Sequence, residues 1–244
     1  MCLAGTAAAA EVSAVYQSYW AGIAAGQIRL TLHDDPGAYR SEIAIRTEGL
    51  PRLFTRFSGS AQTEGRVAAR QGPVPVRFEA LNNLRKRRGR RLSLNFATHG
   101  GGVVAERGAD DTSRKPPLAE RFRTNVLDPL SALAAIRQHL LQGDRGAFTV
   151  PVYDDARRFD VKVRVLPKRS SDGVLHLELT LAPIAGFKGG ASDDGDPDTA
   201  PRTVALTMSD DQRLMPLSMS VSLYYMPLMV ELTRWCDRAS TCDW

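Results

Sequence analysis

The chain has 244 residues, a formal charge of +5, 43% apolar residues and 24% charged residues. These proportions exclude a disordered chain, a collagen and a coiled coil, and no apolar run reaches the roughly 18 to 20 residues that a membrane-spanning helix needs. A domain of this length buries roughly 70% of the surface that its unfolded chain exposes, so it needs no covalent staples to hold a core.

The sequence opens with Met1-Cys2-Leu3-Ala4-Gly5-Thr6 and four alanines, Ala7 to Ala10, before Glu11. Small residues at alternate positions ahead of a charge suit a signal-peptidase site of the A-x-A type. Residues 1–10 therefore read as the remnant of a signal peptide, and residues 11–244 as one β-rich exported domain. From there apolar and polar residues alternate. Val12, Ala14 and Tyr16 begin the pattern; Ile28, Leu30 and Leu32 continue it; Tyr39, Ser41, Ile43 and Ile45 follow, then Val74, Val76 and Phe78. Period two marks strands with one buried face and one wet face. Ala21-Gly22, Asp35-Pro36-Gly37 and Gly72-Pro73 fall between the runs as turn signals.

Arg85, Lys86, Arg87, Arg88, Arg90 and Arg91 follow, six of the chain's 32 cations around Gly89, and the rest of the chain is close to neutral. The basic character is thus local. It predicts either a solvated hairpin with Arg88-Gly89 near the turn or a patch for anionic lipid headgroups or another polyanion. No aromatic residue interleaves with the run and no recognition motif accompanies it, so nucleic acid is not expected. Leu92, Leu94 and Phe96 resume the alternation.

Residues Gly108 to Glu120 read as a loop. Asp128 to Gly143 break period two: Asp128 suits the helix N-cap, Pro129 the first helical position and Gly143 the C-terminal cap. Leu130, Leu133, Ile136 and Leu140 form an apolar stripe at helical spacing, so this helix is expected to plug or buttress a β structure. Alternation returns at Phe159–Val165, Leu175–Leu181, Val204–Met208 and Leu217–Tyr225. The acidic, glycine-rich residues 186–201 form a loop between the second and third of these. Ser171-Asp172-Gly173, Asp210-Asp211 and Met226-Pro227 read as turns. About a dozen strands are too many for a flat open sheet. The expected fold is mainly β, an antiparallel spiral or partly open barrel with one central helix. Near the end, Cys236 and Cys242 read as a disulfide in an oxidising compartment.

The chemistry-bearing motifs are missing. His33, His99, His139 and His176 lie in no H-E-x-x-H pattern, no G-x-S-x-G elbow occurs, and Gly100-Gly101-Gly102 lacks a Walker lysine. No cofactor, no metal and no catalytic residue is expected.

Tyr19-Trp20-Ala21-Gly22-Ile23-Ala24-Ala25-Gly26, followed by Ile28, Leu30 and Leu32, resembles the opening hairpin of domain-of-unknown-function family 3108, a family of exported bacterial proteins. Thr47-Glu48-Gly49-Leu50 with Phe54 and Phe57, and Leu127-Asp128-Pro129-Leu130-Ser131-Ala132-Leu133, resemble its next block and its helix entry. The order of helix, Gly143, short strand, Tyr153-Asp154-Asp155 turn and long strand is similar to periplasmic envelope-integrity proteins with a β-spiral fold. The resemblance spans about Val12 to Leu232 and implies a Gram-negative periplasmic location. It carries over no chemistry and no functional residues. The resulting expectation is a non-catalytic protein that supports envelope integrity by holding a lipid, lipoprotein or peptide in an apolar concavity lined by Tyr16, Trp20, Phe54 and Phe57. The alternative is a structural module that docks on a protein or an anionic membrane through the basic hairpin. An enzyme is the weakest reading, and the oligomeric state is not legible.

Overall fold

The computed structural model describes residues 10–49, 52, 57–68, 72–84, 87–97, 102–108, 118–167, 173–187, 200–223, 226–236 and 242. Among them the chain forms β1 (Ala10–Trp20), β2 (Ile23–Asp35), β3 (Ala38–Thr47), β4 (Phe57–Ala68), β5 (Gly72–Leu84), β6 (Arg87–Phe96) and β7 (Val103–Gly108). A 3-10 turn at Glu120–Phe122 and one helix, α1 (Pro129–Leu141), follow. Then come β8 (Ala147–Asp154), β9 (Arg157–Val165), β10 (Val174–Ala185), β11 (Arg202–Ser209), β12 (Pro216–Leu223) and β13 (Met226–Cys236).

All thirteen strands join one antiparallel sheet of order β7-β6-β5-β4-β3-β2-β1-β13-β12-β11-β10-β9-β8. It consists of two meanders, β1–β7 and β8–β13, sewn together where the first strand pairs with the last, Ala14 opposite Trp235 and Tyr16 opposite Leu232. The two free edges are β7 and β8. The connector between them bridges the gap: Val103 N–H donates to Arg123 O at 2.9 Å, Leu127 N–H to Pro151 O at 2.9 Å, and Tyr153 N–H to Leu127 O at 2.8 Å. Tyr153 Oη on β8 also donates to Glu106 Oε2 on β7 at 2.7 Å. Backbone donors at both edges thus find partners without direct pairing of β7 with β8, and the barrel is partly open there.

A thirteen-stranded wall encloses more space than side chains alone can fill. α1 occupies that space. Asp128 caps it, its Oδ1 accepting from Leu130 N at 3.0 Å and Ser131 N at 2.9 Å. Pro129 opens the first turn, and Gly143 ends the helix at φ +82°. Ala132, Ala135, Ile136 and Leu140 pack into an apolar cluster with β8 to β11. Leu130 joins Phe78, Leu92, Leu94 and Tyr153, and Leu133 packs against Ala14, Tyr16 and Leu30. The helix therefore touches the barrel all round. Its buried residues include Ser131 and Arg137 as well as Leu130, Ile136 and Leu140 of the expected stripe; Leu133 is half-buried and Leu141 is exposed.

Two turn expectations are corrected. Gly72-Pro73 and Met226-Pro227 open strands β5 and β13, since proline is tolerated at a strand's first residues. Arg88-Gly89 lies in β6 just past the hairpin end where Leu84 pairs with Arg87, near the turn as expected. A side chain at Gly89 would collide with Asn83 Oδ1, so this glycine permits a close cross-strand approach. Residues 1–9 and most of the expected loops at 108–120 and 186–201 lie outside the described residues.

Candidate functional site

Antiparallel pairing gathers several hairpin ends at one end of the barrel, its mouth. Trp20 stands opposite Ile23 on one side and Leu228 on the other. Leu223 stands opposite Met226, and Ala21 N–H donates to Pro227 O at 3.0 Å, so the β1–β2 and β12–β13 tips are stitched side by side. Phe57 faces Leu84, which faces Arg87, at the same end.

Alternation fixes which face each residue occupies. Ala14 and Tyr16 on β1 and Val230 and Leu232 on β13 belong to the core cluster, so Trp20 and Leu228 are the next inward positions above it. A bulge between Ser18 and Tyr19 on the β2 side brings Ile23 across from Trp20 on that same face. The helix does not cover these residues: Trp20 is 48% exposed, Ile23 50% and Met226 44%. Large apolar side chains grouped and wet in this way mark an interaction site more often than isolated exposed ones do.

The basic run enters β6 at this end of the barrel. Ala80 pairs with Ala61 and Leu92, both packed with the core, so Asn82 and its partner Arg90 occupy inward register positions, as do Leu84 and Arg87. Arg91, opposite Leu81, alternates outward and is exposed. Arg87, Arg88 and Arg90 are placed here by backbone register alone; Arg85, Lys86 and Phe54 lie outside the described residues.

The four predicted liners thus separate. Trp20 reaches the mouth. Phe57 is half-buried at the mouth end of β4, where Thr47 Oγ1 bonds its N–H at 2.9 Å and its carbonyl at 3.0 Å. Tyr16 is core, 4% exposed, with its hydroxyl donating to Pro216 O at 3.0 Å; burial pushes its pKa far up, so it stays neutral. Ile23, Leu228 and Met226 were not singled out from the sequence. Ile23 sits in the hairpin motif beside Trp20, but Met226-Pro227 looked like a turn.

Other polar groups are taken up by the fold. Asp128 is fully buried, and its Oδ2 accepts from Ser131 Oγ and from Thr63 Oγ1, while Ser131 Oγ shares a 2.7 Å bond with Tyr39 Oη. Burial raises the Asp128 pKa against these hydrogen bonds. A polar cleft on the barrel wall, lined by Arg40, Gln62, Thr63, Glu64, Arg77 and Glu79, neutralises itself: Arg77 and Gln62 both bond Glu79, whose pKa the Arg77 hydrogen bond lowers. Among the described residues no group of three or more His, Cys, Asp or Glu could hold a metal ion, and no helix is long and apolar enough to cross a membrane. Cys236 and Cys242 form the expected disulfide.

Comparison with known proteins agrees with this architecture. A β-barrel-like protein of domain of unknown function DUF1849 from Brucella abortus superposes with a TM-score of 0.56 at 13% identity, covering 93% of this chain and 97% of its own. At that identity the likeness speaks to the fold alone. A DUF1329 family protein from Desulfovibrio piger aligns over 98% of this chain and 90% of its own at 9% identity, but its TM-score of 0.21 supports no argument. No curated protein matches the sequence. The model of the family described as protein of unknown function (DUF3108) matches residues 15–173, from the first strand through the helix and β9, and this chain belongs to that family.

Proposed function

We propose that this protein is an exported, non-catalytic component of the cell envelope that supports envelope integrity by binding a ligand with an apolar portion at the barrel mouth. One observation carries the reading: Trp20, Ile23 and Met226 are each more than two-fifths exposed at adjoining hairpin tips, above an interior that α1 already fills. Burying such side chains yields about 25 cal/mol per Å² of apolar surface removed from water. The disulfide supports export, because cysteine pairs persist in oxidising compartments.

Native mass spectrometry of protein purified from its envelope fraction tests this. An adduct of lipid or peptide mass is expected, and Trp20→Ser combined with Ile23→Ser should strip it while leaving the circular dichroism spectrum unchanged. A clean apo mass in repeated preparations, or full retention by the double variant, would overturn the proposal.

A further inference from the structure

We propose that the two stitched hairpin tips, β1–β2 and β12–β13, form a lip that seats in the interface of a lipid bilayer, so that the barrel docks on a membrane at one side of its mouth. This goes beyond a ligand held inside the mouth, because it also uses side chains that face away from the interior.

Charge is missing from the lip. Residues 17–28, which carry the first tip, and residues 214–230, which carry the second, contain no Asp, Glu, Lys, Arg or His in a chain that is 24% charged. The β3–β4, β5–β6, β8–β9 and β10–β11 connections, at the same end of the barrel, all include charged residues in sequence. Exposed apolar side chains also cover both faces of the lip. Trp20 and Ile23 take inward positions, while Tyr19 alternates outward and pairs with Met229 on one side and Ala24 on the other. Met229 is 41% exposed, close to the 44% of Met226, and Ala24 is exposed too. A ligand in the interior would cover only the inward set. A bilayer covers both, and Trp and Tyr favour its interface. The borders set the depth. Glu48 N–H donates to Ala25 O at 3.0 Å, so the Arg46–Glu48 ion pair stands level with Ala25 on the β3 side. The tip beyond Ala25 extends about 7–10 Å at the usual strand rise, which matches the reach of about 5–10 Å that interfacial apolar faces have into a bilayer. Glu231, the first charge on β13, lies further down that strand, and Arg202 at the start of β11 marks the other border.

The test is flotation of the intact protein with vesicles of phosphatidylcholine alone and of phosphatidylcholine with phosphatidylglycerol. Both should carry the protein up, and should still do so at about 1 M salt, where charges are screened within about 3 Å. Ala24→Asp with Met229→Asp puts a charge on the outer face of each tip. It should weaken binding to phosphatidylcholine about tenfold or more, the loss that one buried apolar side chain accounts for, yet keep the adduct in native mass spectrometry and the circular dichroism spectrum. Ala24→Val with Met229→Leu should float as the native protein does. A second readout needs no charged variant: phosphatidylcholine brominated in its acyl chains should quench the native protein, and Trp20→Phe should be quenched less, since Trp235 pairs with Ala14 well below the lip. No flotation, flotation only on the anionic vesicles that salt abolishes, undiminished flotation of the aspartate variant, or equal quenching without Trp20 would each overturn the docking. So would a dimer that the aspartates disrupt in protein that does not float, which would give the lip to a second copy of the chain. Flotation without any adduct would leave the docking standing and remove the ligand inside the mouth.

Discussion

The two meanders grip α1 by different means. The C-terminal one, β8 to β13, offers it a mainly apolar surface, where Val150, Val152, Val163, Leu177 and Met208 close on Ala132, Ile136 and Leu140, with one directed contact, the Arg213 carbonyl between β11 and β12 accepting from Arg137 at 3.1 and 2.8 Å. The N-terminal one, β1 to β7, offers hydroxyls. Tyr39 on β3 and Thr63 on β4 reach Ser131 and Asp128 at the helix's first turn, and Asp34 at the end of β2 meets Arg137 at 2.8 Å. Gly65 leaves the room that the Tyr39 ring fills. Dispersion and hydrophobic contact are strong but undirected, so a helix held by them alone could slide by a turn, about 5.4 Å. Directed bonds at its first turn remove that freedom. The division suggests that one half of the barrel supplies the strength of the plug and the other its register.

The largest predicted effect strikes the strong side. Leu140 is 2% exposed inside the apolar cluster, and Leu140→Ala should cost about 2–5 kcal/mol, the lost transfer energy plus a cavity. Leu141, its exposed neighbour, should change stability by no more than about 0.5 kcal/mol when cut to alanine. Urea unfolding of both variants measures the contrast. Equal losses would mean that the helix is not seated as described.

Asp128→Ala comes next, at about 2 kcal/mol or more. It removes the cap from Leu130 and Ser131 and leaves the buried Ser131 and Thr63 hydroxyls without their acceptor. Asp128→Asn keeps an acceptor for the two backbone donors and should cost less. It should also separate the two variants by pH. Burial raises the folded pKa of Asp128 above its unfolded value, so the folded state holds the proton more tightly. Its contribution to stability is full below the unfolded pKa, about 3.9, and is lost as pH rises through the folded pKa. Asparagine cannot ionise, so the gap between native protein and Asp128→Asn should be widest near pH 4 and narrow towards pH 8. Urea midpoints at both pH values report this, and parallel profiles would show that Asp128 carries no burial penalty.

The same division explains what could be read in advance. The strands that enclose the dry half alternate plainly, Phe159 to Val165 and Leu175 to Leu181, because a flat apolar surface needs nothing but period two. α1's cap signals were equally plain, since Asp128, Pro129 and Gly143 act through their own backbones. β4 was not legible. Its inward positions are Ala61, Thr63 and Gly65, small or polar because Tyr39 and the helix's first turn press against them, so its alternation carries no apolar signal. Ser131 and Arg137 hid within the helix for the same reason, as their burial depends on hydroxyl and carboxylate partners 68 and 103 residues away. The mouth was half legible. Trp20 and the arginine run were conspicuous as types, but their convergence depends on a thirteen-strand register that no local pattern encodes.

The smallest effect probes the joint between the two halves. Cys242 is fully buried with its sulfur 3.4 Å from Ser13 O, and Cys236 ends β13 opposite that same Ser13 on β1. The disulfide therefore places Cys242 against the outer face of β1. There the buried Ser13 and Thr31 hydroxyls share a 2.6 Å bond. Its loop spans a sequence separation of 6, which in the chain-entropy model is worth about 2 kcal/mol. Cys236→Ser with Cys242→Ser should lower the unfolding free energy by about that much and speed amide exchange around Ser13 and Thr31. The β1–β13 ladder beyond the Ser13–Cys236 pair, α1 and the mouth should be unaffected, because their bonds lie elsewhere along the strands. Loss of the whole sheet's protection in the double variant would mean that the covalent link, and not the backbone ladder, holds the two meanders together.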